Sequence, residues 1–221
     1  MSSNNDDNSI SINRTRVKIC GITRKEDAQA CVTAGADALG LVFYPDSPRS
    51  VSLTTAAEIL SSLPAFVTTV GLFVNANSLD VQSVLAQIPL DCLQFHGDES
   101  PDFCEQFKRP YIKAIRVSEQ TDLPVEAERF NRAQALLLDT YIAGIPGGTG
   151  QTFNWQLIPK KLSKPIILAG GLTPANVGEA IKTVAPYAVD VSGGVEASKG
   201  IKDKDKIKQF IHEVQCIGTT E

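Results

Sequence analysis

The sequence predicts an α/β protein folded as a single-domain (β/α)8 barrel, or TIM barrel, and three observations predict it. A short apolar run followed by an amphipathic segment recurs eight times between Val17 and Gly218, which is the pattern of parallel strands joined by helical crossovers. Each unit is about 25 residues long, so eight of them match the smallest barrels of this kind. No linker or shift in composition divides the chain. The competing architecture, an open doubly wound sheet, usually has fewer strands and carries GxGxxG after its first strand. That fingerprint is absent here.

The strands are read at VKICGI from Val17, ALGLVFY from Ala38, VTTVGLFVN from Val67, CLQFHG from Cys92, YIKAIRV from Tyr111, ALLLDTY from Ala135, PIILAGG from Pro165 and AVDVSGG from Ala188. The helices between them are read at RKEDAQACVTAG, SLTTAAEILSSLP, SLDVQSVLAQIP, SPDFCEQFK, VEAERFNRA, NWQLIPKKL, TPANVGEAIKTVA and KDKDKIKQFIHEV. Ser52, Ser78 and Thr173 can each accept from the first free N–H groups of a helix, and Pro101 and Pro174 suit a first helical turn. Before the first strand, residues 1–15 form a polar stretch read as a disordered tail. The barrel is placed at 16–218 and a short tail at 219–221.

Composition narrows the class of function. The 221 residues are 43% hydrophobic and 21% charged, with a net charge of −4. Such a chain can bury a core, and it has no overall electrostatic reason to bind nucleic acid or an anionic membrane. No apolar run approaches the roughly 18 residues of a membrane span. The polar N-terminal stretch has the character of neither a signal nor a transit peptide, so a cytoplasmic location is expected. Five cysteines without CxxC spacing and two histidines argue against a metal site.

In such barrels the chemistry lies at the C-terminal ends of the strands. Alternation along strand 1 turns Val17 and Ile19 toward the helices and Lys18 and Cys20 inward. On strand 6 the same rule turns Leu137 and Asp139 inward. Cys20 and Asp139 therefore stand at the upper rim as a candidate base and acid. A buried structural thiol and a strand-end cap are the plainer readings of the two. Lys18 and Asp190 lie on strands that become neighbours when the barrel closes, which suggests a buried ion pair. His96 shares an inward parity with Gln94, and it is either at the rim of the site or a structural hydrogen-bonding group. Arg49, in the loop after strand 2, has the planar fork to hold a carboxylate, or is a solvated loop residue. Trp155 is expected to pack, His212 to lie at the surface or core edge, and the run KDKDK to be solvated.

Strands 7 and 8 run into AGGLTPANV and SGGVEASKG, and Gly147-Gly148-Thr149-Gly150 follows strand 6. Glycine-rich turns after the last two strands let backbone N–H groups approach a phosphate. The barrel is thus expected to be of the phosphate-binding type, with a phosphorylated small molecule as substrate.

These motifs together carry a family resemblance. VKICGITRKEDA, GLVFYPDSPRSV, VGLFVN, LQFHGDES, KAIRV, LLLDT, GGTGQTFNW, ILAGGLTPANV and VDVSGGVEASKGIKD are similar, in order, to the phosphoribosylanthranilate isomerases. The resemblance runs from about Val17 to Ile207, and the combination of KICG, SPR and AGGL-P-NV is specific. It implies a cofactor-free Amadori rearrangement of N-(5-phosphoribosyl)anthranilate in tryptophan biosynthesis. In that scheme Cys20 is the general base, Asp139 the general acid and Arg49 the anchor of the anthranilate carboxylate. Gly170, Gly171, Ser192, Gly193 and Gly194, with Gly148 and Thr149, would hold the phosphate. The family has monomers and homodimers. Its common SSGVE is here Ser192-Gly193-Gly194-Val195-Glu196, so one hydroxyl is lost while backbone donors remain. The related histidine-pathway isomerase is expected to use two carboxylates, and indole-3-glycerol-phosphate synthase a Lys–Glu design. A phosphate-binding barrel without activity is the remaining alternative.

Overall fold

The computed structural model describes residues 14–140 and 154–217. The expected tails up to residue 13 and beyond 217, and Gly148 and Thr149, lie outside the described residues.

Eight parallel strands close into one barrel in chain order. They are β1 (Arg16–Cys20), β2 (Ala38–Val42), β3 (Thr68–Phe73), β4 (Cys92–Phe95), β5 (Tyr111–Val117), β6 (Ala135–Thr140), β7 (Ile166–Leu168) and β8 (Ala188–Val191). Pairing of β8 with β1 closes the ring and sets Lys18 opposite Asp190. The helices are α1 (Lys25–Ala34), α2 (Leu53–Ser61), α3 (Ser78–Gln87), α4 (Pro101–Glu105), α5 (Leu123–Arg129), α6 (Val177–Val184) and α7 (Lys204–Ile217). A small antiparallel hairpin of β9 (Glu196–Ser198) and β10 (Ile201–Lys202) follows β8. None of the described helices is long and apolar enough to cross a membrane.

Alternation along the strands builds two cores. Val17, Ile19, Leu136 and Leu138 point out and pack under the helices with Phe73, Phe95 and Phe210. Val70, Ile112, Leu137 and Ile167 fill the barrel interior. Cys20, Val42 and Leu72 form the uppermost layer. Each fully buried Leu, Ile or Phe contributes roughly 1.5–3 kcal/mol of burial energy, so both layers resist a shift of strand register. Between the inner layers, Lys18 and Asp190 are 3% and 7% exposed, with Nζ donating to Oδ1 at 2.7 Å. That is the buried pair the strand order predicts.

Four local expectations are corrected. The segment NWQLIPKKL forms only a single 3-10 turn, Trp155–Leu157, because Pro159 cannot donate to a continuing helix. Asn77, not Ser78, caps α3 by accepting from the Asp80 N–H at 2.9 Å. Thr173 caps nothing. Its N–H donates to Asn176 Oδ1, Asn176 Nδ2 donates to the Gly171 carbonyl, and the helix starts only at Val177. Lys202, the first residue of KDKDK, is 3% exposed instead of solvated. Ser52 caps α2 and Pro101 opens α4 as read from the sequence. Trp155 packs against the outer core, and His212 is exposed on α7.

Candidate active site

A cavity of about 450 Å³ opens at the C-terminal end of the barrel. Cys20, Arg49, His96, Asp139, Gly170, Gly171, Ser192, Gly193 and Gly194 all line it. The site residues expected from the sequence are thus brought together, apart from the two outside the described residues. A larger cleft of about 890 Å³ lies beside α5 and does not reach Cys20 or Asp139.

Cys20 ends β1 and is 4% exposed. Lys18, two residues earlier on the same face, places its charge by the thiol while pairing with Asp190. Burial pushes the thiol upward, and Asp190 works with burial. Lys18 and Lys202 pull it down, but the thiol stays above its ordinary value. Burial alone would lower Lys18, yet Asp190 and Cys20 hold it above its usual range. A cation is therefore fixed beside the candidate base. Gly40, beside it on β2, makes the room, since a Cβ there would come within 2.8 Å of the sulfur and 3.2 Å of Lys18 Nζ.

Asp139 is the last residue but one of β6 and is 7% exposed. His96 Nε2 lies 3.1 Å from its Oδ2, and Gln94 Nε2 lies 2.9 Å from His96 Nδ1. With Gln94 donating to Nδ1, a neutral His96 carries its proton on Nε2 and donates to Asp139. Gln94 is fully buried. The backbone around His96 is clamped from outside the barrel. Lys113 Nζ donates to the Gly97 carbonyl at 2.6 Å, and Glu99 accepts from the N–H groups of Asn75 and Gly97. Burial holds the Lys113 ammonium below its usual value.

Arg49 lies in the loop between β2 and α2. Its Nε donates to Glu196 Oε1 at 2.7 Å and its Nη2 to Oε2 at 2.8 Å. Burial would raise the Glu196 carboxyl, but Arg49 and Lys202 together hold it below its ordinary value. Lys202 Nζ reaches Glu196 Oε1 at 3.0 Å and the Ser192 carbonyl at 3.1 Å. The loops after β7 and β8 meet at Gly194, where a Cβ would run into the Leu172 carbonyl oxygen. Only glycine allows this approach. At Gly193, the position of the family's second serine, a Cβ would sit an ordinary 3.4 Å from Arg49 Nη2.

Sequence reasoning missed Gln94, Glu196 and Lys202 as parts of this arrangement. Gln94 was legible through its parity with His96. The burial of Lys202 had no hydropathy signal, since its neighbour Ile201 is the more exposed of the two. Among the described residues, no group of three or more His, Cys, Asp or Glu side chains is placed to hold a metal ion.

A family model described as N-(5'phosphoribosyl)anthranilate (PRA) isomerase matches residues 17–213. The N-(5'-phosphoribosyl)anthranilate isomerase of Pseudomonas fluorescens (strain SBW25) is 62% identical over 200 residues, covering 90% of this chain and 95% of that protein. The crystal structure of phosphoribosyl anthranilate isomerase from Thermotoga maritima superposes with a TM-score of 0.84 at 42% identity, over 91% of this chain and 99% of the other. A phosphoribosyl anthranilate isomerase solved in complex with reduced 1-(o-carboxyphenylamino)-1-deoxyribulose 5-phosphate superposes with a TM-score of 0.78 at 39% identity, over 91% and 99% of the two chains.

Proposed function

The chain belongs to the N-(5'-phosphoribosyl)anthranilate isomerase family, and from that premise we propose how its residues divide the reaction. It is an isomerase of tryptophan biosynthesis. It converts N-(5-phosphoribosyl)anthranilate into 1-(2-carboxyphenylamino)-1-deoxyribulose 5-phosphate by an Amadori rearrangement. The observation that carries the division of labour is the convergence of Cys20 and Asp139, from β1 and β6, on one cavity.

Asp139 gives its proton to the furanose ring oxygen. The C1–O bond breaks, and the anilino nitrogen's lone pair forms the iminium at C1. Cys20, as thiolate, takes the proton from C2, and the electrons of that C–H bond flow to the iminium. The enol-amine then tautomerises: C1 gains a proton and the C2 hydroxyl loses one. The substrate's own nitrogen is the electron sink for the C2–H bond, and two side chains, Asp139 and Cys20, carry the ring opening and the proton abstraction.

His96 holds Asp139 in place, and Lys18 stabilises the thiolate when it forms. Arg49 binds the anthranilate carboxylate. Gly170, Gly171, Ser192, Gly193 and Gly194 surround the phosphate with backbone groups, and Gly148 and Thr149 are carried into this role by the family motif alone. The related isomerase solved in complex with reduced 1-(o-carboxyphenylamino)-1-deoxyribulose 5-phosphate supports a phosphorylated small molecule as the substrate. The reading is compatible with a monomer or a homodimer. The substrate is the only partner the reading needs, neither nucleic acid nor membrane, and a cytoplasmic location suits it.

The test is a coupled fluorescence assay that follows loss of phosphoribosylanthranilate made in situ from anthranilate and phosphoribosyl pyrophosphate. Cys20→Ser and Asp139→Asn should each keep the fold and lose roughly 10²–10⁴-fold in kcat. Near-normal turnover in either variant removes that residue from its role.

A further inference from the structure

We infer that Glu196 is a positioning residue that grips the side of the Arg49 guanidinium and leaves its far edge to recognise the substrate carboxylate. This inference rests on the reading of Arg49 as the carboxylate anchor.

The geometry decides between two roles for the pair. An arginine has five N–H donors arranged in a plane, and a carboxylate can take it side-on, at Nε and one Nη, or end-on, at both Nη atoms. Glu196 takes it side-on, through Nε and Nη2. One Nη1 hydrogen and the second Nη2 hydrogen are left side by side on the end-on edge. Arg49 lines the cavity, and Glu196 is not among the lining residues. Glu196 therefore holds the guanidinium from behind and does not occupy the edge that a ligand would use.

Glu196 is itself fixed. Lys202, with a fully buried side chain, donates to its Oε1, and Lys206 Nζ donates to its backbone carbonyl at 2.8 Å. Lys202 also reaches the carbonyl of Ser192, next to the glycines assigned to the phosphate. One buried lysine thus ties the holder of the carboxylate anchor to the phosphate loop, and it fixes the distance between the two ends of the substrate. An arginine held this way has lost its rotamer freedom before binding. It should favour aminoaldoses whose aromatic ring carries an ortho carboxylate.

The opposite role, in which Glu196 competes with the substrate for Arg49, predicts the opposite sign. Removing a competitor lowers KM, and removing a support raises it. The experiment is steady-state kinetics of Glu196→Gln with two substrates: phosphoribosylanthranilate and the glycosylamine of aniline with ribose 5-phosphate, which lacks the carboxylate. With the carboxylated substrate KM should rise roughly 10- to 100-fold and kcat should stay within about threefold, since ground-state and transition-state binding are lost alike. With the aniline compound kcat/KM should not change. Glutamine leaves Lys202 buried without its counter-charge, so Glu196→Asp, which keeps the charge and shortens the reach to Arg49, is measured beside it and should show the same split.

Arg49→Ala run in parallel separates the two levels of the argument. If it loses the preference for the carboxylated substrate while both Glu196 variants keep KM unchanged or lowered, the positioning role is overturned alone. Equal losses on both substrates in the Glu196 variants reduce Glu196 to a structural residue. A preference that survives in Arg49→Ala overturns the anchor reading and this inference with it.

Discussion

The two sides of the cavity hold their reactive groups by different physics. On the β1/β8 side a thiol stands over a buried ion pair, Lys18 with Asp190, and a second buried ammonium, Lys202, acts on it. On the β4/β6 side a carboxyl group is held by a relay of hydrogen bonds, Gln94 to His96 to Asp139. The difference matches the roles proposed for the two groups. A buried thiol ionises only when cations offset its desolvation. A carboxylic acid needs orientation and partial burial, and hydrogen bonds from neighbouring side chains provide the orientation.

The largest effect that would break this contrast is expected at Gly40. Its missing side chain gives Lys18 access to Cys20, and the mutation touches no residue of the acid side. Gly40→Ala places a methyl 2.8 Å from the sulfur and 3.1 Å from the Cys20 Cα, so the strand or the ion pair must move. Overpacking of this kind costs about 1–3 kcal/mol of stability, and displacing the base should lower kcat by roughly 10- to 100-fold. Thermal unfolding and kcat measured together check it. A variant with unchanged kcat would mean that the thiol does not depend on the charge below it.

A smaller effect sharpens the contrast through pH. The Cys20 thiol lies above its ordinary value, so its thiolate fraction should still be climbing where a free cysteine has levelled off. Alkylation of the Cys20 peptide by iodoacetamide, followed by mass spectrometry, should rise with pH and reach its midpoint above that of a free cysteine. The base limb of kcat/KM should rise over the same range. A plateau reached below the free cysteine's midpoint would show that the cations outweigh burial in solution.

Legibility in the sequence divides along similar lines. The strands, their parity and the Lys18–Asp190 pair were readable because side chains alternate strictly and the barrel closes in chain order. Arg49 was readable as a carboxylate holder, but its carboxylate partner within the chain was not. Glu196 and Lys202 meet Arg49 across a hairpin that breaks the strand–helix rhythm, and no periodicity marks them. The helix read at NWQLIPKKL failed because its apolar spacing was helical while Pro159 forbade the hydrogen bonds. At Asn77 an amide beside the expected hydroxyl of Ser78 took the backbone N–H first, a competition that spacing alone does not resolve, and α6 begins at Val177, beyond the turn that Thr173 was expected to cap.

The central claim is that two residues divide one proton-transfer sequence, Asp139 opening the ring and Cys20 taking the C2 proton. The most direct test is the deuterium isotope effect on kcat with substrate labelled at C2 of the ribose, in Cys20→Ser and in Asp139→Asn. Cys20→Ser should make proton abstraction limiting and show a large primary effect. Asp139→Asn should make ring opening limiting, and its effect should fall close to one. The reverse pattern, or the same isotope effect in both variants, would contradict the assignment of base and acid.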